Sequence, residues 1–350
     1  MGTQNQVLVL TALAWLGLTA PGAIDYPHPR GYVAIRTPSP PVVDGRLDDP
    51  AWRDAPWTDD FVDMANPAAS PPPRTRVKMV WDDQHLYIGA DIAEPRLWAE
   101  MTKHDSPLYQ ENAFEFFIDP DGDNHEYYEF EINALNTTWD LLLPRPYRDG
   151  GLGLSNWEIL GLQSAVHVDG TLNDPSDTDR GWSIEIAVPW KALREQARRD
   201  APPKPGDQWR VNFTRVETPL RVEGGAYRKI AGQASQVSSW APQYVMDIHR
   251  PETWGYVQFE RTARPFAPDA SWPARRWLHT VYYAQREFRQ AHGRWAASLT
   301  DLGIALPGDG LTDPKVETTS DLFEVSVTLP RAGAAAERWH IRNDGRVWRE

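Results

Sequence analysis

Glu111–Asn133 reads ENAFEFFIDPDGDNHEYYEFEIN, and its alternation decides the fold. Phe114, Phe116 and Ile118 alternate with Glu115 and Phe117, while Tyr128, Phe130 and Ile132 alternate with Tyr127, Glu129, Glu131 and Asn133. A period of two sends alternate side chains to opposite faces of a strand. Between the two runs, Asp119-Pro-Asp-Gly-Asp-Asn124 is turn chemistry. The stretch therefore predicts a β-hairpin with one apolar face for a core and a second, wet face of acids and amides. It holds eight carboxylates and no Lys or Arg. Sugar hydroxyls or a cation would suit that second face.

The same period extends outward. Val77, Met79 and Trp81, then Leu86, Ile88, Ala90 and Ile92, flank a turn at Asp82-Asp83-Gln84. Downstream, strands are predicted at Trp139–Leu143, Leu162–Val168, Trp182–Val188, Trp209–Phe213 and Trp254–Glu260, with a short helix over Pro189–Arg199. Many short strands, turn signals and few helices predict a mainly β chain, a β-sandwich over residues 24–262. A Pro- and Ala-rich linker follows at 263–271. The period then changes: Trp277, Val281, Ala284, Phe288, Ala291 and Trp295 form a helical stripe, with His292-Gly293 as its stop. With a hairpin turn at Asn343-Asp344-Gly345, residues 272–350 read as a small α+β domain. Its stripe is expected to pack on its own sheet, with a protein partner as the alternative.

Composition narrows the function. The chain has 350 residues, no Cys and a formal charge of −13, which argues against nucleic acid as partner. Val7–Ala20, VLVLTALAWLGLTA, has the length of a secretory h-region and is too short to span a bilayer comfortably. Residues 1–23 are expected to be a signal peptide, giving a secreted or periplasmic protein without a membrane span in the mature chain.

Three chemistries compete on the acidic hairpin. A glycosidase would use paired carboxylates, Glu115 with Glu129 or Glu131, on neighbouring strands. A structural Ca2+ would use Asp119, Asp121 and Asp123, although Asn124 and Phe130 break the helix-loop-helix calcium pattern. No His-Glu-x-x-His spacing suggests a zinc enzyme. Trp139, Trp182 and Trp209 lie on strands and read as core. Trp157, Trp240 and Tyr109 lie in loops and read as ring platforms. Arg145 and Arg148 read as counter-charges to the acidic face.

Several segments resemble carbohydrate-binding module family 9, closest to its single-module exported relatives. They are Asp44-Gly45…Asp48…Trp52, Val80-Trp81-Asp82-Asp83…Leu86-Tyr87-Ile88, Asn112–Asp119, Phe130–Asn133, Gly181-Trp182…Glu185…Pro189-Trp190, and His249–Glu252…Trp254-Gly255. The resemblance implies a glycan-binding β-sandwich, accessory to polysaccharide catabolism, that holds a sugar end between two aromatic rings and carries structural calcium. On the matching positions, Tyr109 is the first ring, and Glu115 and Asn133 are polar contacts. Glu131 stands where family members can carry an Arg. The second ring's position falls near Ile248, so Trp240 and Tyr244 are the nearby aromatic substitutes. The expected protein is thus a non-catalytic binder of plant-type glycan such as xylan or cellulose. The alternatives are a glycoside hydrolase using Glu115 and Glu131, and an envelope adhesion or scaffold protein.

Overall fold

The computed structural model describes residues 27–350; the expected signal peptide lies outside them. The first fourteen strands are β1 (Gly31–Arg36), β2 (Val62–Asp63), β3 (Thr75–Trp81), β4 (His85–Ala93), β5 (Ala113–Asp119), β6 (Tyr127–Ile132), β7 (Thr138–Leu143), β8 (Gln163–Asp169), β9 (Gly181–Pro189), β10 (Gln208–Glu217), β11 (Leu220–Glu223), β12 (Ala226–Lys229), β13 (Gln236–Ser239) and β14 (Gly255–Glu260). Two one-turn helices interrupt them, α1 (Pro50–Arg53) and α2 (Trp190–Leu193). The helix expected over Pro189–Arg199 is thus limited to its first turn.

Twelve of these strands form one sheet in the order β7-β6-β5-β10-β14-β1-β3-β4-β9-β8, with β13 and β2 branching from β10. The path curls over itself into a β-sandwich. Its core takes Phe114, Phe116 and Phe130 from one end and Ile88, Ile184 and Ile186 from the other. β1 pairs in parallel with both β14 and β3; the neighbouring pairs along the path are antiparallel.

The quoted stretch forms the expected hairpin, with Phe116 opposite Phe130 and Glu115 opposite Glu131. The wet-face expectation is corrected. Phe117, Tyr127, Leu141, Leu143 and Trp254 build a second apolar cluster on that face, and Glu115, Glu129 and Glu131 are buried beside it. The loop before β14, through Ile248 and His249, covers what alternation alone leaves open.

In the C-terminal unit, α3 (Trp272–His292) packs on an antiparallel sheet of β15 (Thr312–Thr318), β16 (Phe323–Leu329), β17 (Glu337–Arg342) and β18 (Val347–Arg349). Ala274, Leu278, Val281 and Ala284 of the helix meet Val325, Val327 and Ile341 of the sheet. Of the stripe, Val281 and Ala284 are buried in this domain and Trp277, Phe288 and Trp295 pack against the same core, while Ala291 is exposed.

The acidic turn joins the two units. The Asp123 carbonyl accepts from Val347 N at 3.0 Å, and its carboxylate accepts from Arg346 Nε at 2.8 Å. Asn124 Nδ2 donates to Gly345 O at 3.0 Å, and Arg275 donates to Gly122 O at 2.7 Å. Nearby, Glu252 is buried and accepts from Arg148 and Arg250, while Tyr283 of α3 donates to it. Arg148 is thus committed to the domain junction and is not the counter-charge expected for the acidic hairpin.

Candidate functional site

On the outer face of the hairpin lies a cavity of about 360 Å³. Strand register lays out its floor. Across β10, β5, β6 and β7 one row runs Thr214, Glu115, Glu131, Trp139, and beside it run Phe117, Glu129 and Leu141. Two exposed rings rise from loops at the rim: Tyr109, 50 % exposed, from the turn before β5, and Tyr147, 46 % exposed, from the loop after β7. Tyr109 leans on Trp139 with ring centroids 6.0 Å apart. Tyr147 stands edge-on to His249 at 4.6 Å. Ile248 and His249 complete the wall.

The floor is electrostatically unusual, because its lining includes no Lys or Arg. Burial pushes the Glu115 carboxyl up to about 7, against a hydrogen bond from Thr214 that favours the ionised form. Burial, and then repulsion from Glu115, holds Glu129 well above the ordinary carboxylate range. Glu131 is raised by burial and by both neighbours, although it accepts from Tyr109 N at 2.8 Å. One oxygen of Glu129 is buried without a hydrogen-bond partner among the described residues. His249 is driven down to about 3 by burial and the Arg148 charge, so its ring is neutral. Small-molecule pockets combine apolar and aromatic walls with a few convergent polar groups, and this cavity has both.

The structure brings Tyr109, Glu115 and Glu131 together, with Glu129 beside them, and leaves the other expected contacts elsewhere. Trp240 is 1 % exposed and buried in the main core against Phe213. Its ring lies where a Cβ on Gly255 would stand at 2.4 Å, so the absent side chain of Gly255 makes its room. Trp240 cannot face Tyr109. Tyr244, at φ +62°, bonds through its backbone to Met64 O and lies near Arg30, away from the cavity. Asn133 is spent on the turn after β6: its amide donates to Met101 O and Glu111, and its oxygen accepts from Leu135 N and Thr137 N. Trp157 is half-buried against the core and Tyr128. Trp182 and Trp209 are core, whereas Trp139 lines the cavity.

Reading by residue type missed Tyr147, His249 and the role of Trp139. Trp139 had a signal, since it shares a face with Glu131 once β7 pairs with β6 in the observed register. Tyr147 and His249 sit in loops without period. A larger cleft of about 640 Å³, lined by seven arginines, lies between the two units. It has no half-exposed ring pair over buried carboxyls.

The β-sandwich gathers rings and acids on one sheet face. Residues 43–202 match the family model for the carbohydrate family 9 binding domain-like group. The chain is 29 % identical over 155 residues to Exoglucanase XynX of Acetivibrio thermocellus, covering 44 % of this chain and 12 % of that protein. It is 28 % identical over 155 residues to Endo-1,4-beta-xylanase A of Thermoanaerobacterium saccharolyticum, covering 44 % and 11 %. The chain thus spans only a small part of these relatives. Among solved structures, family 9 modules from Caldicellulosiruptor kristjanssonii in complex with cellotriose and with glucose are 16 % identical, with TM-scores of 0.44 and 0.43. Each comparison covers 68 % of this chain and 100 % of that one.

Proposed function

We propose that this chain is an exported, non-catalytic glycan-binding protein whose cavity holds the end of a plant-type polysaccharide such as xylan or cellulose. One observation carries the reading: two half-exposed tyrosine rings flank three buried carboxyls on one sheet face. Sugar rings stack on such surfaces, and their hydroxyls pair with acceptors that otherwise stay unsatisfied. Tyr147 takes the place of the second ring that Trp240 cannot supply. Glu131 stands where family members can carry an Arg, so this position brings no positive charge that would attract anionic sugars.

Burial pushes all three carboxyls upward, so each is costly to leave without a partner. Export accords with the apolar segment at Val7–Ala20. Among the described residues no helix is long and apolar enough to cross a membrane.

Structural Ca2+ belongs to the same reading, at Asp119, Asp121 and Asp123, whose oxygens lie within 4.8 Å of one another. Burial, then mutual repulsion, raises Asp119 well up and Asp121 to about 6, a cost that a dication would offset.

The test is titration of xylo- and cello-oligosaccharides into the full chain, followed by Trp fluorescence and calorimetry. Saturable binding that is lost in Tyr109→Ala is expected. No binding to either series, or equal binding by Tyr109→Ala, would overturn the proposal.

A further inference from the structure

Asp140 stands between Trp139 and Leu141 on β7 and points away from the cavity that they line. It is 5 % exposed, and one oxygen accepts from Ile159 N. The other oxygen, Oδ1, makes no hydrogen bond among the described residues and is directed at His104 Nε2, 3.9 Å away. The same nitrogen is 3.1 Å from Glu158 Oε1 and 3.3 Å from Asp105 Oδ1. The four groups offer ligand atoms within 4.8 Å of one another.

The histidine is oriented from behind. His104 Nδ1 lies 2.9 Å from Thr138 O. A carbonyl only accepts, so Nδ1 donates to it; the Glu158 carboxylate also only accepts, so Nε2 carries a proton in the ion-free chain, and a cation that displaces that proton takes the Nε2 lone pair. A backbone carbonyl on the far nitrogen is the usual support of a metal-bound histidine. Spacing agrees as well. Bonds of ~2.0–2.1 Å in a tetrahedral shell put neighbouring ligand atoms about 3.3 Å apart. Two of the three contacts to Nε2 already have that separation, and Asp140 needs to close by about half an ångström. Among the described residues no Lys or Arg pairs with Asp105, Asp140 or Glu158. Three carboxylates thus face a single imidazole.

We propose that His104, Asp105, Asp140 and Glu158 bind one divalent transition cation of the Zn2+ class. Imidazole nitrogen selects such ions over Ca2+, which takes oxygen ligands. The site is separate from the acidic turn at Asp119–Asp123. It also joins the three segments that carry the rings of the cavity. His104 and Asp105 precede Tyr109 in one loop, Asp140 follows Trp139, and Glu158 lies in the connection that carries Tyr147. A bound ion therefore holds the rings in place before the sugar arrives, which tightens binding by reducing the ordering cost. This last consequence rests on the cavity being the sugar site; the metal site itself does not.

The experiment is calorimetric titration of the chelator-treated full chain with ZnCl2, for wild type, His104→Ala, Glu158→Gln and Asp121→Asn. The His104 and Glu158 side chains are about half exposed, so their removal leaves the fold intact. One tight site is expected in wild type and Asp121→Asn, weakened at least tenfold in His104→Ala and in Glu158→Gln. Absence of Zn2+ binding, or equal affinity in His104→Ala, would overturn the site. Oligosaccharide titrations with and without Zn2+ read the coupling: tighter binding with the ion is expected, and the same affinity either way would overturn the link to the rings. Loss of sugar binding in all samples while Zn2+ still binds would reject the cavity reading and leave the metal site standing.

Discussion

Replacing Glu115 by Gln should make the protein more stable at alkaline pH and poorer at binding. The Glu115 carboxyl moves from its ordinary 4.5 to about 7 on folding, because burial opposes its charge. A raised folded value favours the folded state while the group is protonated. That contribution is fully present below about 4.5 and is lost as pH rises through about 7. At ~1.4 kcal/mol per tenfold change in proton affinity, the loss is about 3 kcal/mol. Gln cannot ionise, yet its carbonyl can still accept the Thr214 hydroxyl bond that Glu115 accepts now. Glu129 and Glu131 also lose a repelling neighbour. At roughly 2–4 °C per kcal/mol for a chain of this size class, the ceiling is about 6–12 °C at pH 8. Near pH 5 most of the difference should vanish. Thermal unfolding of wild type and Glu115→Gln at both values, followed by near-UV circular dichroism, measures it. A gain equal at both pH values, or no gain at pH 8, would refute the reasoning. The accompanying loss of affinity would mark the carboxylate as kept for ligand at the expense of stability.

Other consequences are simpler to state. Tyr147→Ala should weaken oligosaccharide binding by about 2 kcal/mol, the scale of a truncated aromatic anchor, without shifting the melting temperature, since the ring is half exposed; calorimetry beside a thermal melt checks both. Trp240→Ala should destabilise by about 3–5 kcal/mol through a core cavity, as read by denaturant titration. Burial alone would raise Glu252, but Arg148 and Arg250 overcome it and hold the carboxyl well below its ordinary range. Its stabilisation is present above the ordinary value and lost as pH falls through the depressed one. Glu252→Gln should therefore loosen the domain junction by about 3–5 kcal/mol near neutrality, seen as earlier proteolytic cleavage between residues 261 and 271. Ca2+ should raise the melting temperature of wild type and not of Asp121→Asn; equal responses would remove the acidic turn as its site.

Much of the architecture was legible because alternation is local. The hairpin at Ala113–Ile132 and the helix ending at His292-Gly293 needed no tertiary information. Burial of the acids was not legible, because the cover over Glu115, Glu129 and Glu131 comes from residues more than one hundred positions away, such as Ile248 and His249. Trp240 was misplaced for a related reason. It follows the short strand β13 in a loop, and only the close approach of Gly255 shows that the ring turns inward. Asn133 kept its strand face by count, but the chain had already turned, and the amide serves the turn. The place of the acidic turn at the domain junction was not legible, because its partners Arg346, Gly345 and Val347 lie at the far end of the chain.

The central claim is that a sugar end sits over the three buried carboxyls between Tyr109 and Tyr147. A crystal structure of the full chain saturated with a xylo- or cello-oligosaccharide tests it most directly. The account predicts a terminal ring stacked on Tyr109 or Tyr147, with hydroxyls within about 3.2 Å of Glu115, Glu129 or Glu131. Sugar bound in the arginine-lined cleft between the two units, with this cavity empty, would contradict it.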